Sequence, residues 1–490
     1  MKLASRLKKL DKYEKYALIA IIIAIILRFS LIGTYAVSGD ACWHMSAARF
    51  MANNYQIPLF EPIGRDEPFW PPPLFHFIAA AFYLVFGELG LKLVSPLFGS
   101  LTLIVTYFLF RKMLAPRQSF YAIFFLSFVP LYIDYNVLGY VESVLTFLFV
   151  IGIYFALESR FLLAGIVTGL AMLAKNNGIF LIPVLIYIAY KKSGKNALLK
   201  NLFFVVILPG IIASPWLIRN WIYMGNPIWP FMNGVFHGLE MHSYLDFAAE
   251  NIISAGTYIA LYLGFFGVPD GNYQALFFAN LPNFGLLLSM YIITTIIFLL
   301  PILFGFRKSK NHVIWYVLLI SFLPLFLLYV SNVGAFVSRM LMPAFLALAF
   351  IYGIGMDSIA SRFKSKGKLF FILLIIVSVG FIGAEIFKFQ LAKQSWDFYQ
   401  DDFGWVKANT QKNDFIMAGG QCMSFYFDRF TLLPKMENIG KVDYVFVNQD
   451  FKVDKKRAMT PEDILGKITK NGRLVYKNKE TKTEIYSLKN

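Results

Sequence analysis

Long apolar runs recur along most of this chain and are separated by short polar segments. Stretches of roughly 17–22 apolar residues repeat between Ala17 and Leu391, and each is long enough to cross a bilayer core as a helix. The first run ends at Val37 and is too long and too hydrophobic for a cleaved signal peptide. The pattern predicts a polytopic α-helical membrane protein whose first helix stays in the chain as an anchor.

Clusters of basic residues between the apolar runs set the predicted orientation. Cytoplasmic loops of membrane proteins are enriched in Lys and Arg, so each cluster is expected on the cytoplasmic side. The chain must then cross the membrane an even number of times between neighbouring clusters. The clusters are residues 2–15, 111–117, 191–200, 307–310 and 361–368. They place the N-terminus inside the cell.

The even-crossing requirement decides two ambiguous segments. Residues 74–87 would span roughly 21 Å as a helix, short of the ~30 Å core, and are interpreted as a helix lying in the interface. Residues 252–268 have acidic flanks and no adjacent basic residue, which favours a re-entrant or interfacial segment on the outer side. About eleven spans remain, an odd number that puts the C-terminus outside. They are 16–37, 91–110, 118–133, 142–157, 160–174, 178–190, 201–218, 285–306, 312–330, 340–356 and 369–391.

The hydrophobic pattern changes after Lys393. An amphipathic helix, two buried strands and a β-hairpin are predicted there, at residues 395–410, 414–420, 442–449 and 472–488. The predicted organisation is therefore a transmembrane catalytic domain over 1–395, with its first outer loop at 38–90, and a small soluble α/β domain over 396–490 outside the cell.

Composition agrees with this architecture. Of the 490 residues, 58% are hydrophobic and only 15% are charged, which a soluble domain of this size would not show. The net charge of +17 is explained by the cytoplasmic loops, so no nucleic-acid partner is expected. The cysteines, Cys42 and Cys422, match no metal or redox spacing. They could pair only if both face outside, and the sequence leaves that open.

The polar minority gathers at the predicted outer ends of the helices. Asp40 follows the first span directly, and His44 lies one helical turn later on the same face. Other carboxylates of the outer surface that could serve a site are Glu61, Glu67, Asp134 and Glu142. Cations come from the ends of three separate helices, at Lys175, Arg219 and Arg339.

This distribution suits one site at the outer membrane surface. Cations that converge from distant helices suit an anionic head group such as a lipid phosphate, and a neighbouring carboxylate suits a general base acting on a hydroxyl. Simpler interpretations also hold for single residues. Asp40 could be a solvated helix-exit residue, and Lys175 and Arg339 could be interfacial residues that extend to water. Arg28, inside the first span, should face the bundle interior and could pair with a carboxylate.

Several motifs taken together give the chain a family resemblance. It resembles the GT-C glycosyltransferases, in particular the branch of the dolichyl-phosphate-mannose protein mannosyltransferases and the lipid A aminoarabinose transferases. The matching segments are Asp40 followed by "WHMSAARFM", "EPFWPPPLFHFIAAAFYLVFG" (67–87), Glu142 in "GYVESVLTFL", "LAKNNGIFLIP" (173–183), "SPWLIRNWIYMGNPIWPF" (214–231) and "SRMLMPAFLAL" (338–348). Their order and spacing cover most of residues 15–395.

The resemblance implies transfer of a sugar from a polyprenyl or dolichyl phosphate carrier outside the cytoplasm. It implies that Asp40 is the catalytic base, that Arg339 contacts the lipid phosphate and that Lys175 makes a second phosphate contact. The chain departs from the branch in two places. Asp40 is followed by Ala41 instead of Glu, and Trp70 instead of Lys precedes three prolines. The acceptor therefore stays open among protein, glycan and lipid.

The predicted reaction is an inverting transfer in the plasma membrane that needs no metal and no cofactor. Asp40 removes the acceptor proton, while Arg339 and Lys175, with Arg219, stabilise the departing phosphate. Glu67 or Glu61 orients the sugar or the acceptor. The expected partners are the lipid-phosphate sugar donor, the acceptor and membrane lipid.

Two other functions are compatible with a membrane protein of this kind. An oligosaccharyltransferase would need a metal-binding acidic pair and a Trp-Trp-Asp-Tyr-Gly motif, whereas Asp134 and Glu142 are too far apart for the usual pair and "SWDFYQ" (395–400) is only a partial match. A transporter or flippase of lipid-linked sugars would tend to show internal repeats and ionisable groups at mid-membrane. No repeat is visible in this chain.

Overall fold

The computed structural model describes most of the chain, which forms two compact units. The first unit comprises Met1–Thr34, Pro71–Phe75 and Lys92–Phe389, and the second comprises Tyr35–Trp70, His76–Leu91 and Gln390–Asn490. The described residues are 10–61, 68–239, 284–331, 339, 342–362, 364–420, 422–448, 451 and 461–489. The predicted segment 252–268 lies outside them, and the predicted domain boundary at residue 395 stays a prediction.

Helices dominate the described part of the chain. Those of six or more residues are Lys12–Ser30, Asp40–Asn54, Leu74–Phe86, Glu88–Arg111, Pro116–Phe128, Pro130–Tyr135, Glu142–Leu157, Phe161–Ala174, Leu181–Lys192, Lys195–Leu202, Leu208–Met224, Phe284–Lys308, His312–Ser331, Ala344–Arg362, Lys364–Asp397, Gln400–Asn409 and Pro461–Asn471. The short helices are Asn233–Phe236 and Met423–Phe427.

Five helical segments within the described residues are long and apolar enough to cross a membrane. They are Lys12–Gly33, Glu88–Arg111, Lys195–Met224, Ala344–Arg362 and Leu369–Asp397. The helical membrane fold is thus confirmed, whereas the count of about eleven spans and the N-in, C-out orientation stay predictions. The segment 74–87 is a helix, Leu74–Phe86, as expected. Its interfacial position stays a prediction.

The predicted span 118–133 is two helices instead of one. The first ends at Phe128, Val129 is extended, and a second, Pro130–Tyr135, follows. Pro130 lacks a backbone N–H and disfavours helical geometry in the residue before it, so the break falls at Val129. The predicted span 178–190 likewise begins with a separate 3₁₀ turn, Asn176–Phe180.

Glycines allow the helix Ala344–Arg362 to pack closely in the first unit. It contacts the helices Pro116–Phe128 and Phe284–Lys308. A Cβ atom at Gly353 would collide with the carbonyl of Gln118, and one at Gly355 with the carbonyl of Pro301. Beside this contact, the rings of Phe125 and Tyr352 stack with their centroids 4.6 Å apart. The helix is therefore fixed between two neighbours by shape as well as by apolar burial.

The second unit contains a five-stranded sheet in the order β2-β1-β3-β5-β4. The strands are β1 Phe415–Ala418, β2 Phe430–Leu432, β3 Tyr444–Val447, β4 Arg473–Asn478 and β5 Thr483–Ser487. β1 pairs in parallel with β2 and β3, and the antiparallel β4–β5 hairpin joins through β5 to β3. The two predicted strands and the hairpin are confirmed. β2 was missed because its three residues are too few to show alternation.

Both cysteines belong to the second unit, and they are bonded to each other. Cys42 lies in the helix Asp40–Asn54, here called the Asp40 helix, and its sulfur is 2.11 Å from that of Cys422. The structure therefore answers the question that the sequence left open. The pair closes a sequence separation of 380 residues.

Candidate functional site

Three of the predicted site residues form one buried cluster in the first unit. Glu142 is the first residue of its helix and is only 2% exposed. Lys175, at the end of the helix Phe161–Ala174, places its Nζ 2.5 Å from Glu142 Oε1. The Nε atom of Arg339 lies 3.3 Å from the same oxygen. The carboxylate of Glu142 thus contacts two cations, Lys175 and Arg339, that lie far apart in the sequence.

The surroundings of this cluster are ordered by hydrogen bonds and a ring contact. The guanidinium carbon of Arg339 lies 4.9 Å from the ring centroid of Tyr140, within cation–π range. The Tyr140 carbonyl accepts hydrogen bonds from the hydroxyls of Ser95, at 3.2 Å, and Ser143, at 3.1 Å. The turn that precedes Glu142 is therefore fixed from two helices.

The charge of this cluster fits an anionic ligand. Lys175 and Arg339 together carry two positive charges, and Glu142 offsets one of them. Lys has three N–H donors and Arg has five, more than one carboxylate can accept. The side chains of Lys175 and Arg339 keep 23% and 16% of their surface exposed, so a ligand can reach both cations. A phosphate, with its several acceptor oxygens, is the group that such a pair binds well.

Arg219 lies on the helix Leu208–Met224 among aromatic side chains. Its guanidinium carbon is 4.6 Å from the ring centroid of Trp216 and 5.4 Å from that of Tyr223. It also donates a hydrogen bond of 3.0 Å to Asn220 Oδ1. The predicted role of Arg219 as a further phosphate contact stays a prediction.

Asp134 belongs to a second buried charge cluster, not to the one around Glu142. Lys388 Nζ lies 2.7 and 2.8 Å from the two carboxylate oxygens of Asp134. Lys388 also forms an ion pair with Glu385, three residues earlier on the same helix. All three residues are at most 4% exposed. Lys388 and Glu385 were not predicted as site residues, although two charged residues inside the apolar run 369–391 were a signal.

Arg28 faces the interior of the first unit, as predicted, and is fully buried. Its Nη1 atom donates to two backbone carbonyls, Ala24 at 3.1 Å and Ser127 at 3.2 Å. Its guanidinium carbon lies 5.8 Å from the ring centroid of Tyr132. Among the described residues, the groups that the guanidinium contacts are thus carbonyls and a ring, where the sequence had suggested a carboxylate.

Asp40 and His44 lie in the second unit, on the Asp40 helix. Asp40 is its first residue and follows Gly39, whose φ of 58° favours glycine. His44 Nδ1 is 3.0 Å from His76 Nε2, so one ring donates and the other accepts. His76 was noted as an outer polar residue but was not assigned to the site, although it interrupts the apolar helix Leu74–Phe86.

Aromatic side chains surround the two histidines. Trp43 stacks on His44 with the ring centroids 5.0 Å apart and lies 5.7 Å from Trp70. Phe69 meets His76 edge to face at 5.1 Å. Ring contacts of this kind are typical of a buried aromatic core.

Two predicted carboxylates remain, Glu61 and Glu67. Glu61 is buried in the second unit, only 4% exposed, and its predicted role stays a prediction. Glu67 lies outside the described residues. Within the described part of the chain, no three His, Cys, Asp or Glu side chains are grouped so as to hold a metal ion.

Comparison with known proteins identifies a family and solved structures that this chain resembles. The family model described as dolichyl-phosphate-mannose-protein mannosyltransferase matches residues 70–219. A search of curated proteins found no match. Among solved structures, ArnT from Cupriavidus metallidurans bound to undecaprenyl phosphate superposes with a TM-score of 0.65 at 13% identity, over 97% of this chain and 98% of that one. The chain has the GT-C fold.

Two further structures with the GT-C fold match over most of this chain. The Archaeoglobus fulgidus oligosaccharyltransferase in complex with Zn and sulfate gives a TM-score of 0.56 at 13% identity, over 96% of this chain and 73% of that one. The arabinofuranosyltransferase AftD from Mycobacteria gives 0.52 at 12% identity, over 97% and 40%. The resemblance that the motifs indicated is confirmed. The stretch matched by the family model includes Glu142, Lys175 and Arg219.

Proposed function

We propose that this GT-C chain is a glycosyltransferase that moves a sugar from a polyprenyl or dolichyl phosphate carrier to an acceptor hydroxyl at the outer face of the plasma membrane. The observation that carries the proposal is the pair of cations, Lys175 and Arg339, held at one buried carboxylate. The match to a structure bound to undecaprenyl phosphate supports a lipid-phosphate ligand.

Lys175 and Arg339 bind the phosphate of the donor in this proposal, and Arg219 assists them. Cleavage of the bond between the sugar and the phosphate leaves extra negative charge on the phosphate oxygen. Cations that are already in place stabilise that charge as it develops, without a proton transfer to the leaving group. Glu142 holds the two cations in position until the phosphate arrives.

Asp40 is the proposed base. Its carboxylate takes the proton of the acceptor hydroxyl, the acceptor oxygen bonds to the anomeric carbon, and the phosphate leaves with the electron pair of the broken bond. Attack from the face opposite the phosphate inverts the configuration of the sugar. His44, Glu61, Glu67 and Asp134 are proposed to position the sugar or the acceptor.

The test is a transfer assay on the purified full chain with a panel of polyprenyl-phosphate sugars. We expect release or transfer of the sugar from at least one donor. Asp40→Asn should lower the rate roughly 100-fold or more, because general-base catalysis contributes about 10²–10⁴-fold. Asp401→Asn, which changes an exposed acid of the second unit, is the matched control.

Two results would count against the proposal. Near-normal turnover by Asp40→Asn would remove the base assignment. An absence of reaction with every donor, together with movement of lipid-linked sugar across vesicles that contain the protein, would favour a transporter.

A further inference from the structure

The Asp40 helix is attached to residues 422–428 along one of its faces, entirely within the second unit. Cys42 is bonded to Cys422. One turn later, the hydroxyl of Ser46 lies 3.3 Å from that of Ser424. Before the helix, the hydroxyl of Tyr426 donates to the carbonyl of Val37 at 2.8 Å.

Arg49 adds ion pairs and hydrogen bonds to this attachment. Its side chain is 5% exposed, and its Nε lies 3.0 Å from Asp428 Oδ1. Its Nη2 donates to the carbonyl of Phe425 at 2.6 Å, and the guanidinium lies 5.0 Å from the ring centroid of the same residue. The Nη1 atom pairs with Glu88 at 2.7 Å. A buried arginine with this many partners fixes the helix in both position and rotation.

The attached face is opposite to the face that carries the proposed base. Cys42, Ser46 and Arg49 have the spacing i, i+4, i+7, which is a single helical stripe. At about 100° per residue, Asp40 and His44 form a second stripe roughly 180° from the first. The contacts with residues 422–428 therefore lie on one side of the helix, and Asp40 and His44 lie on the opposite side.

We infer that residues 422–428 are a positioning clamp for Asp40, and that the Cys42–Cys422 disulfide makes the clamp sensitive to redox conditions. This inference rests on the proposed function of Asp40 as the base. A dithiol reductant would break the S–S bond, give two cysteine thiols and become a disulfide itself. The Asp40 helix would then keep only its noncovalent contacts, and Asp40 would lose the covalent restraint that lies two residues away at Cys42.

The disulfide also bears on location. Disulfides persist in oxidising compartments and are reduced in the cytosol. The chain has two cysteines, and the structure uses both in this bond. The second unit therefore belongs on the oxidising side of the membrane, which agrees with the predicted outer location of residues 38–90 and 396–490.

The first experiment measures transfer by the full-length wild type before and after treatment with dithiothreitol. We expect kcat to fall roughly 10- to 100-fold, since small displacements of a catalytic group have effects of that size. The KM for the donor should stay within about two-fold, because the phosphate contacts lie in the first unit. Reoxidation should restore kcat. An unchanged kcat after complete reduction would overturn the inference.

Variants separate the clamp from general stability. The double variant Cys42→Ser, Cys422→Ser should show the low kcat of the reduced wild type and no response to dithiothreitol. Arg49→Gln should lower kcat in the same way, Arg49→Lys should recover part of it, and Arg473→Gln, an exposed arginine of the second unit, should change nothing. A double serine variant with wild-type kcat would reject the clamp.

Hydrogen exchange makes failure of the clamp distinguishable from failure of the proposed function. Reduction should increase exchange in residues 40–54 whether or not a donor has been found. If no donor reacts but exchange rises, the proposed function fails, while the attachment of the Asp40 helix through the disulfide stands. If transfer occurs and reduction changes neither exchange nor kcat, the clamp fails and the proposed function stands.

Discussion

Replacement of Glu142 by Gln should tighten the binding of a polyprenyl phosphate. Glu142 accepts contacts from both Lys175 and Arg339, the two cations proposed to bind the donor phosphate. An incoming phosphate must therefore compete with a carboxylate already in the site. Gln keeps the size of the side chain and removes its negative charge, so that competition is weakened without creating a cavity.

The magnitude follows from the geometry of the two contacts. They measure 2.5 and 3.3 Å, and Glu142 is 2% exposed, so solvent screens them little. A hydrogen bond to a charged group contributes about 1.5–3 kcal/mol net. If the phosphate no longer has to displace one such bond, its affinity should rise roughly 10- to 150-fold. Turnover should fall at the same time wherever release of the lipid phosphate limits kcat.

The assay is titration of undecaprenyl phosphate into the purified wild type and Glu142→Gln variant in the same detergent, with the ratio of the two Kd values as the readout. Glu158→Gln is the matched control, because Glu158 pairs with Lys112 at a more exposed position of the first unit. We expect no change in Kd for the control. Equal or weaker binding by Glu142→Gln would refute the view that this carboxylate occupies the place of the phosphate.

Two further variants test the buried charges and the small sheet. Lys388→Met leaves Asp134 and Glu385 buried without their cation and should destabilise the protein by about 3–5 kcal/mol. The control Lys393→Met, at a more exposed ion pair, should cost less than about 1 kcal/mol. Equal melting temperatures of the two variants in detergent would contradict this expectation. Burial, together with its hydrogen bond to Asp402, raises the pKa of Tyr476 from 10.0 to about 12. Its contribution to stability is complete below pH 10 and is lost as the pH rises towards 12, so Tyr476→Phe should reduce the decline of stability measured by unfolding across that range. An unchanged slope would show that the hydroxyl is not involved.

The sequence was a good guide to local elements and to the first cluster. The helix Glu142–Leu157 follows from a continuous apolar run, and the β4–β5 hairpin follows from the local strand pattern; a short window of sequence contains both signals. Glu142, Lys175 and Arg339 were identified because each is polar at the end of an apolar run. The contact of Lys175 and Arg339 with the same oxygen of Glu142, however, depends on packing between helices. The local pattern of apolar residues does not describe that packing.

Long-range pairing explains what the sequence did not predict. Asp134 and Lys388 are 254 residues apart, and nothing local in either segment specifies the other. The same holds for Cys42 and Cys422, whose bond needs a geometry that only the folded second unit provides. His76 was given no role because an isolated histidine in an apolar helix gives no sign of its partner until His44 is placed beside it.

The long reach of the disulfide has a consequence for biogenesis. Cys42 is translated 380 residues before Cys422, with most of the first unit between them. Cys42 must therefore wait for Cys422 while the ribosome and the insertion machinery deliver the helices between them. The bond can form only after those helices have been delivered, so its oxidation state marks molecules that have passed this stage of synthesis.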